Sequence, residues 1–117
     1  MVKAIRGAIQ INEDTPHAIS EGTMKLFKEI IDRNSINIES IISLIISQTD
    51  DLISYNPATA LREGGIEGIV LFCLQELKIK NQLPHTIRFL FHVNAESKDH
   101  FSHVYLEGAK TLRPDLV

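Results

Sequence analysis

Residues 86–94 read Thr86-Ile87-Arg88-Phe89-Leu90-Phe91-His92-Val93-Asn94, and their alternation decides the fold class. Ile87, Phe89, Phe91 and Val93 share one parity; Arg88, Leu90 and His92 share the other. A period of two belongs to a strand with one face in a core. The second parity is not a clean polar face, because an arginine stands beside a leucine. A guanidinium keeps its charge and is costly to bury without a partner. Arg88 therefore needs either an internal carboxylate or an anionic ligand.

The same question arises at the other end of the chain. Val2 to Ile11 alternates as a strand, with Ile5, Gly7, Ile9 and Ile11 on one parity and Val2, Ala4, Arg6 and Ala8 on the other. Thr15 and Pro16 form a helix start, an N-cap followed by proline at the first helical position. Ile19, Thr23, Leu26, Phe27, Ile30 and Ile31 then make one apolar stripe, which Asn34 and Ser35 end. Asn37 to Ser40 reads as a single turn. The β-branched run Ile41 to Ser47 reads as a strand buried on both faces. A loop reaches Asn56, Pro57 starts a short helix over Ala58 to Glu63, and Gly64-Gly65 stops it. Gly68 to Glu76 is a third strand, Lys78 to Pro84 a polar turn and Ala95 to Phe101 a loop or short helical turn. His103 to Leu112 is a fifth strand that Pro114 terminates.

Five strands and two helices specify an α+β fold: one five-stranded mixed sheet with a long and a short helix covering one face. Strands that are apolar on both parities need a second cover, and further copies of the chain are the simplest one. A homo-oligomer is expected.

At 117 residues the chain, 1–117, has room for one domain. Its net charge of −3 argues against a nucleic-acid partner, which would need a basic face. The apolar runs Ile41 to Ile46 and Ile69 to Leu74 fall far below the ~20 residues that span a bilayer. The first seven residues lack the apolar core of a signal peptide, and the lone Cys73 offers no intrachain disulfide. The expectation is a soluble cytoplasmic protein with no membrane partner. Phosphate loops, dinucleotide glycine signatures and nucleophile elbows are missing from the sequence, and the five histidines follow no ligand spacing. No metal or cofactor is expected. Cys73, alone in a strand, reads as a small core residue.

The arginines carry the signal. Arg6 and Arg88 are mid-strand, and either each meets an internal carboxylate or several guanidiniums converge on an anion. Glu76, at the end of the third strand, suits both readings. Cys73 and Glu76 are three apart, so on a regular strand they face opposite sides. If both line a site, they line different clefts of the oligomer.

Several motifs recur in order along the whole chain. They are Ala4-Ile5-Arg6-Gly7-Ala8, Pro57-Ala58 leading to Arg62-Glu63, Cys73-Leu74-Gln75-Glu76, and Ile87-Arg88 with His92-Val93-Asn94. His103-Val104-Tyr105-Leu106-Glu107-Gly108-Ala109 and Leu112-Arg113-Pro114-Asp115-Leu116 complete the series. In these the sequence resembles the small monofunctional chorismate mutases of the trimeric α/β type. The resemblance implies a homotrimeric pseudo-barrel with active sites between subunits. It also implies a cofactor-free pericyclic rearrangement of chorismate to prephenate, in phenylalanine and tyrosine biosynthesis. In that pattern Arg88 meets the ether oxygen and a carboxylate, while Arg6, helped by Tyr105, holds a carboxylate. Glu76 and Cys73 meet the ring hydroxyl. Arg62 stands at the cleft mouth, and Leu112 and Arg113 belong to a closing segment. The chain departs from the pattern at Thr59, where a lysine is usual, at Asn56, where an aromatic is common, and at Ile9-Gln10. A non-catalytic trimer that binds small carboxylates on the same scaffold is the alternative, although such a binder has no need of a hydroxyl-reading Glu76.

Overall fold

The computed structural model describes residues 1–116. Its elements run β1 (Val2–Gln10), α1 (Pro16–Asn34), β2 (Ile41–Gln48), α2 (Pro57–Glu63), β3 (Val70–Gln75), β4 (Thr86–Asn94) and β5 (Val104–Leu106). Short 3-10 turns follow at Ile38–Ser40, Glu107–Thr111 and Pro114–Leu116. One five-stranded sheet has the order β3-β2-β4-β1-β5. The alternating segment β4 is its centre, antiparallel to both β1 and β2, while the outer pairs β1–β5 and β2–β3 are parallel. The sheet is therefore mixed.

Helix α1 forms where its caps demand. Thr15 is extended and its Oγ1 accepts from Ala18 N at 3.1 Å, while Pro16 supplies a helical φ without an orphan N–H. The helix ends at Ser35, in the left-handed region at φ 50. The stripe read from sequence is the buried face, with Ile19, Thr23, Leu26, Phe27 and Ile30 under cover. Ile19, Leu26, Phe27 and Ile30 meet Ile5, Leu44, Ile87 and Phe91 of the sheet in one apolar core. Gly7 permits the close approach, because a Cβ there would run into Ile30 Cδ1. Asn56 caps α2, its Oδ1 accepting from Ala58 N at 2.8 Å.

Two expectations need correction, and a third is met on one face within a single chain. β2 is buried on one face only within a single chain: Ile41, Leu44 and Ile46 are covered, whereas Ile42 is exposed and Ser43, Ile45 and Ser47 are half-buried. A run of isoleucines reads as doubly buried, but both helices lie on one side of the sheet. The fifth strand does not extend to Leu112. Glu107 turns to φ 54 directly after Leu106 and the chain enters a 3-10 turn, so β5 keeps three residues. Cys73 is exposed, because β3 is the sheet edge and its residues lie largely open. No helix among the described residues is long and apolar enough to cross a membrane.

Candidate active site

The strand registers place the open-face residues in rows. Tyr105, Ala8, Arg88, Ser47 and Leu74 lie side by side across β5, β1, β4, β2 and β3. The next row holds Arg6, Leu90, Ile45 and Phe72. Arg6 and Arg88 are thus diagonal neighbours on adjacent strands, a relation with Cα atoms roughly 7–8 Å apart. A shallow cavity of about 200 Å³ opens there, lined by Arg6, Ile45, Ser47, Arg88, Leu90 and Tyr105. Neither arginine is deeply buried, so neither carries the full desolvation cost that their apolar neighbours in sequence suggested.

Glu76 reaches the same place from beyond the end of β3. Its N–H donates to Gln48 O at 3.0 Å, which continues the parallel ladder and keeps it on the parity of Leu74 and Ser47. Oε2 lies 3.1 Å from Arg88 Nε and accepts from Ser47 Oγ at 2.9 Å. The Arg88 Nε is shut off from solvent, yet its N–H does not point at the carboxylate, so the contact is one of charge rather than a directed hydrogen bond. Both contacts fall on one oxygen. Among the described residues, Oε1 of Glu76 and the two terminal nitrogens of Arg88 have no hydrogen-bond partner, which leaves a free acceptor beside an arginine that lines the cavity.

The Arg6 side is organised by the C-terminal segment. Tyr105 is buried against Ala8 and Ala109, with Leu112 packed alongside. Arg6 N donates to His103 Nδ1 at 2.9 Å. Burial first, and then the Arg6 and Arg113 charges, push the His103 pKa below its ordinary value. Those effects keep the ring neutral and able to accept that bond at neutral pH. Arg113 is itself engaged: its Nε and Nη2 donate to the two Asp115 oxygens at 3.1 and 2.9 Å. That pairing raises the Arg113 pKa and lowers the Asp115 pKa.

Two expected site residues lie elsewhere. Cys73 pairs in register with Ile46, on the helix-covered side of the sheet, and its Sγ donates weakly to Asn56 Oδ1 at 3.5 Å. It lines a separate cavity of about 310 Å³ with Asn56, Pro57 and Asp50, which contains no arginine. Cys73 and Glu76 do face opposite sides, as their spacing requires. Arg62 projects from α2 with Nη2 donating to Thr59 Oγ1 at 3.2 Å, and lines neither cavity. Ser47 and His103 were not singled out from sequence as site residues. A serine closing the apolar run, on the parity of Ser43 and Ile45, is the available signal for Ser47. No group of three His, Cys, Asp or Glu side chains among the described residues could hold a metal ion.

The family model for chorismate mutase type I matches residues 2–116. The chain belongs to the type I chorismate mutase family. It is 40% identical to chorismate mutase AroH of Thermus thermophilus over 99% of this chain and 97% of that one. It is 36% identical to chorismate mutase AroH of Bacillus subtilis over 99% of this chain and 93% of that one. A solved chorismate mutase from Clostridium thermocellum superimposes with a TM-score of 0.88 at 38% identity, covering 93% of this chain and 98% of the other. Its function is accordingly that of a chorismate mutase, an isomerase of aromatic amino acid biosynthesis, and the non-catalytic carboxylate binder is not favoured. The open face suits chorismate mutase chemistry, since an intramolecular rearrangement asks for grip and fixed charge rather than a nucleophile.

Proposed function

We propose that chorismate binds on the open face of the sheet, with Arg88 directed at the breaking ether oxygen and a substrate carboxylate. The observation that carries this reading is the free fork of Arg88 beside a Glu76 that offers one unbonded oxygen. Negative charge gathers on the ether oxygen as the bond breaks, and a preorganised guanidinium favours that state over the ground state. Arg6 and Tyr105 hold a carboxylate, and Glu76 accepts a hydrogen bond from the ring hydroxyl. Leu112 and Arg113 close over the substrate, for which Arg113 exchanges Asp115 for a substrate contact.

We further propose that residues 1–117 act as one domain within a homotrimer whose active sites lie between copies. Two observations support this. The cavity at Arg88 is about 200 Å³, below the ~300 Å³ at which small-molecule pockets begin, so further walls are needed. The face around it also exposes Val70, Phe72 and Leu74, an apolar surface of the kind that subunits bury. Cys73 and Arg62, remote from Arg88 in one chain, then meet the substrate from the neighbouring copy.

Loss of chorismate absorbance with purified protein measures the reaction. Arg88→Lys keeps the charge but not the planar fork, and its turnover is expected to fall about 100-fold or more. A near wild-type rate in Arg88→Lys would remove Arg88 from the role given to it.

A further inference from the structure

The Arg88–Glu76 pair poses a physical problem. An arginine and a carboxylate in contact favour the bidentate arrangement, two parallel N–H donors on two oxygens. Closed in that way through Nε and Nη2, as Arg113 closes on Asp115, Glu76 would occupy a terminal nitrogen that an anionic substrate needs. The observed pair does not close. Among the described residues the terminal nitrogens of Arg88 make no hydrogen bond to Glu76; the nearest approach is Oε2 to the buried Nε at 3.1 Å, and that oxygen is the one bonded by Ser47 Oγ at 2.9 Å.

We infer that Ser47 is a positioning residue that holds Glu76 away from the fork of Arg88, so that the carboxylate and the guanidinium stay available to substrate together. The inference deepens the site reading above and rests on it. Its geometry is built into the sheet. Ser47 is the register partner of Arg88 across β2–β4 and of Leu74 across β2–β3, so its hydroxyl stands between the arginine and the strand that delivers Glu76. A glutamate side chain has several rotatable bonds, and one hydroxyl tether on Oε2 removes much of that freedom. Oε1, without a partner, is left for the ligand.

The test is a double-mutant cycle on chorismate turnover with the full chain, with unfolding stability measured alongside. Ser47→Ala deletes the tether and lets Glu76 swing onto the fork. KM is expected to rise about tenfold, the order of one hydrogen bond to a charged group, with a smaller change in kcat. Ser47→Thr keeps the hydroxyl and suits a strand, and should restore KM. In a Glu76→Gln background the neutral amide cannot form the bidentate ion pair, so adding Ser47→Ala should change KM little. The inference is overturned if Ser47→Ala leaves KM unchanged, if Ser47→Thr does not rescue it, or if Ser47→Ala costs as much in the Glu76→Gln background as in wild type. Failure of the underlying reading looks different: Glu76→Gln would then itself turn over chorismate like wild type.

Discussion

The two faces of this sheet are made by the same strands and end in opposite conditions. On one side α1 closes over Ile5, Leu44, Ile87 and Phe91, and every large side chain finds apolar neighbours within its own chain. On the other, Arg6, Arg88, Ser47 and Glu76 sit among Leu90, Phe72 and Leu74, and nothing among the described residues completes the surface. The covered face accounts for why the chain folds. The open face holds polar groups with unused bonding capacity, which would be a defect in a core and is an asset in a binding site.

The sharpest way to break this contrast is at its centre on the covered side. Phe91 is fully buried, with ring centroids 5.6 Å from Phe27 and 5.9 Å from Phe89. Phe91→Ala should cost about 3–5 kcal/mol in denaturant unfolding, whereas Arg88→Lys should remove activity and leave unfolding almost unchanged. A stable Phe91→Ala chain would mean that the covered face does not hold the fold together.

Next in size is the edge of the open face. Phe72 is 60% exposed in the single chain, so Phe72→Asp should leave circular dichroism unaltered while placing a charge in the proposed seam between copies. Light scattering should then report a mass near one 13.2 kDa chain instead of three at micromolar concentration. An unshifted trimer would show that the seam lies elsewhere.

The smallest effect concerns His103, where β5 meets β1. Its pKa in the folded chain lies below the ordinary 6.5, so the unfolded chain binds more protons between the two values and stability rises with pH there. The contribution is present above about 6.5 and is lost as pH falls through the folded value. Urea midpoints at pH 7.5 and 5 should therefore differ more for wild type than for His103→Gln, which keeps an acceptor without titrating. Equal differences would show that protonation of His103 does not loosen the contact with Arg6.

Much of the fold was legible because its signals are local. The Thr15-Pro16 start, the stripe from Ile19 to Ile30 and the alternation of residues 86–94 each rest on neighbours a few residues away, and the observed α1 and β4 match them. Strand β5 stops short of Leu112 because the turn at Glu107 takes a positive φ in a residue that does not advertise one. Within one chain Ile41 to Ser47 is covered on one face only, for another reason. Composition reports that a strand is apolar, but which of its faces this chain covers depends on where both helices land.

The site divides along the same line. Arg6, Arg88 and Glu76 stood out in the sequence, since charge inside apolar strands is costly and invites explanation. Their relation did not, because it depends on registers between β1, β4, β2 and β3, segments far apart along the chain. Sequence alone determined the helices, the central strand, the family resemblance and the residues able to grip an anion, since propensity, period and residue chemistry act over short distances. Only the tertiary structure decided which face stays open, that Oε2 of Glu76 lies against Arg88 Nε, and that Ser47 bonds that same oxygen. Those facts are set by strand order and register, and a one-residue slip would send each of these side chains to the other face.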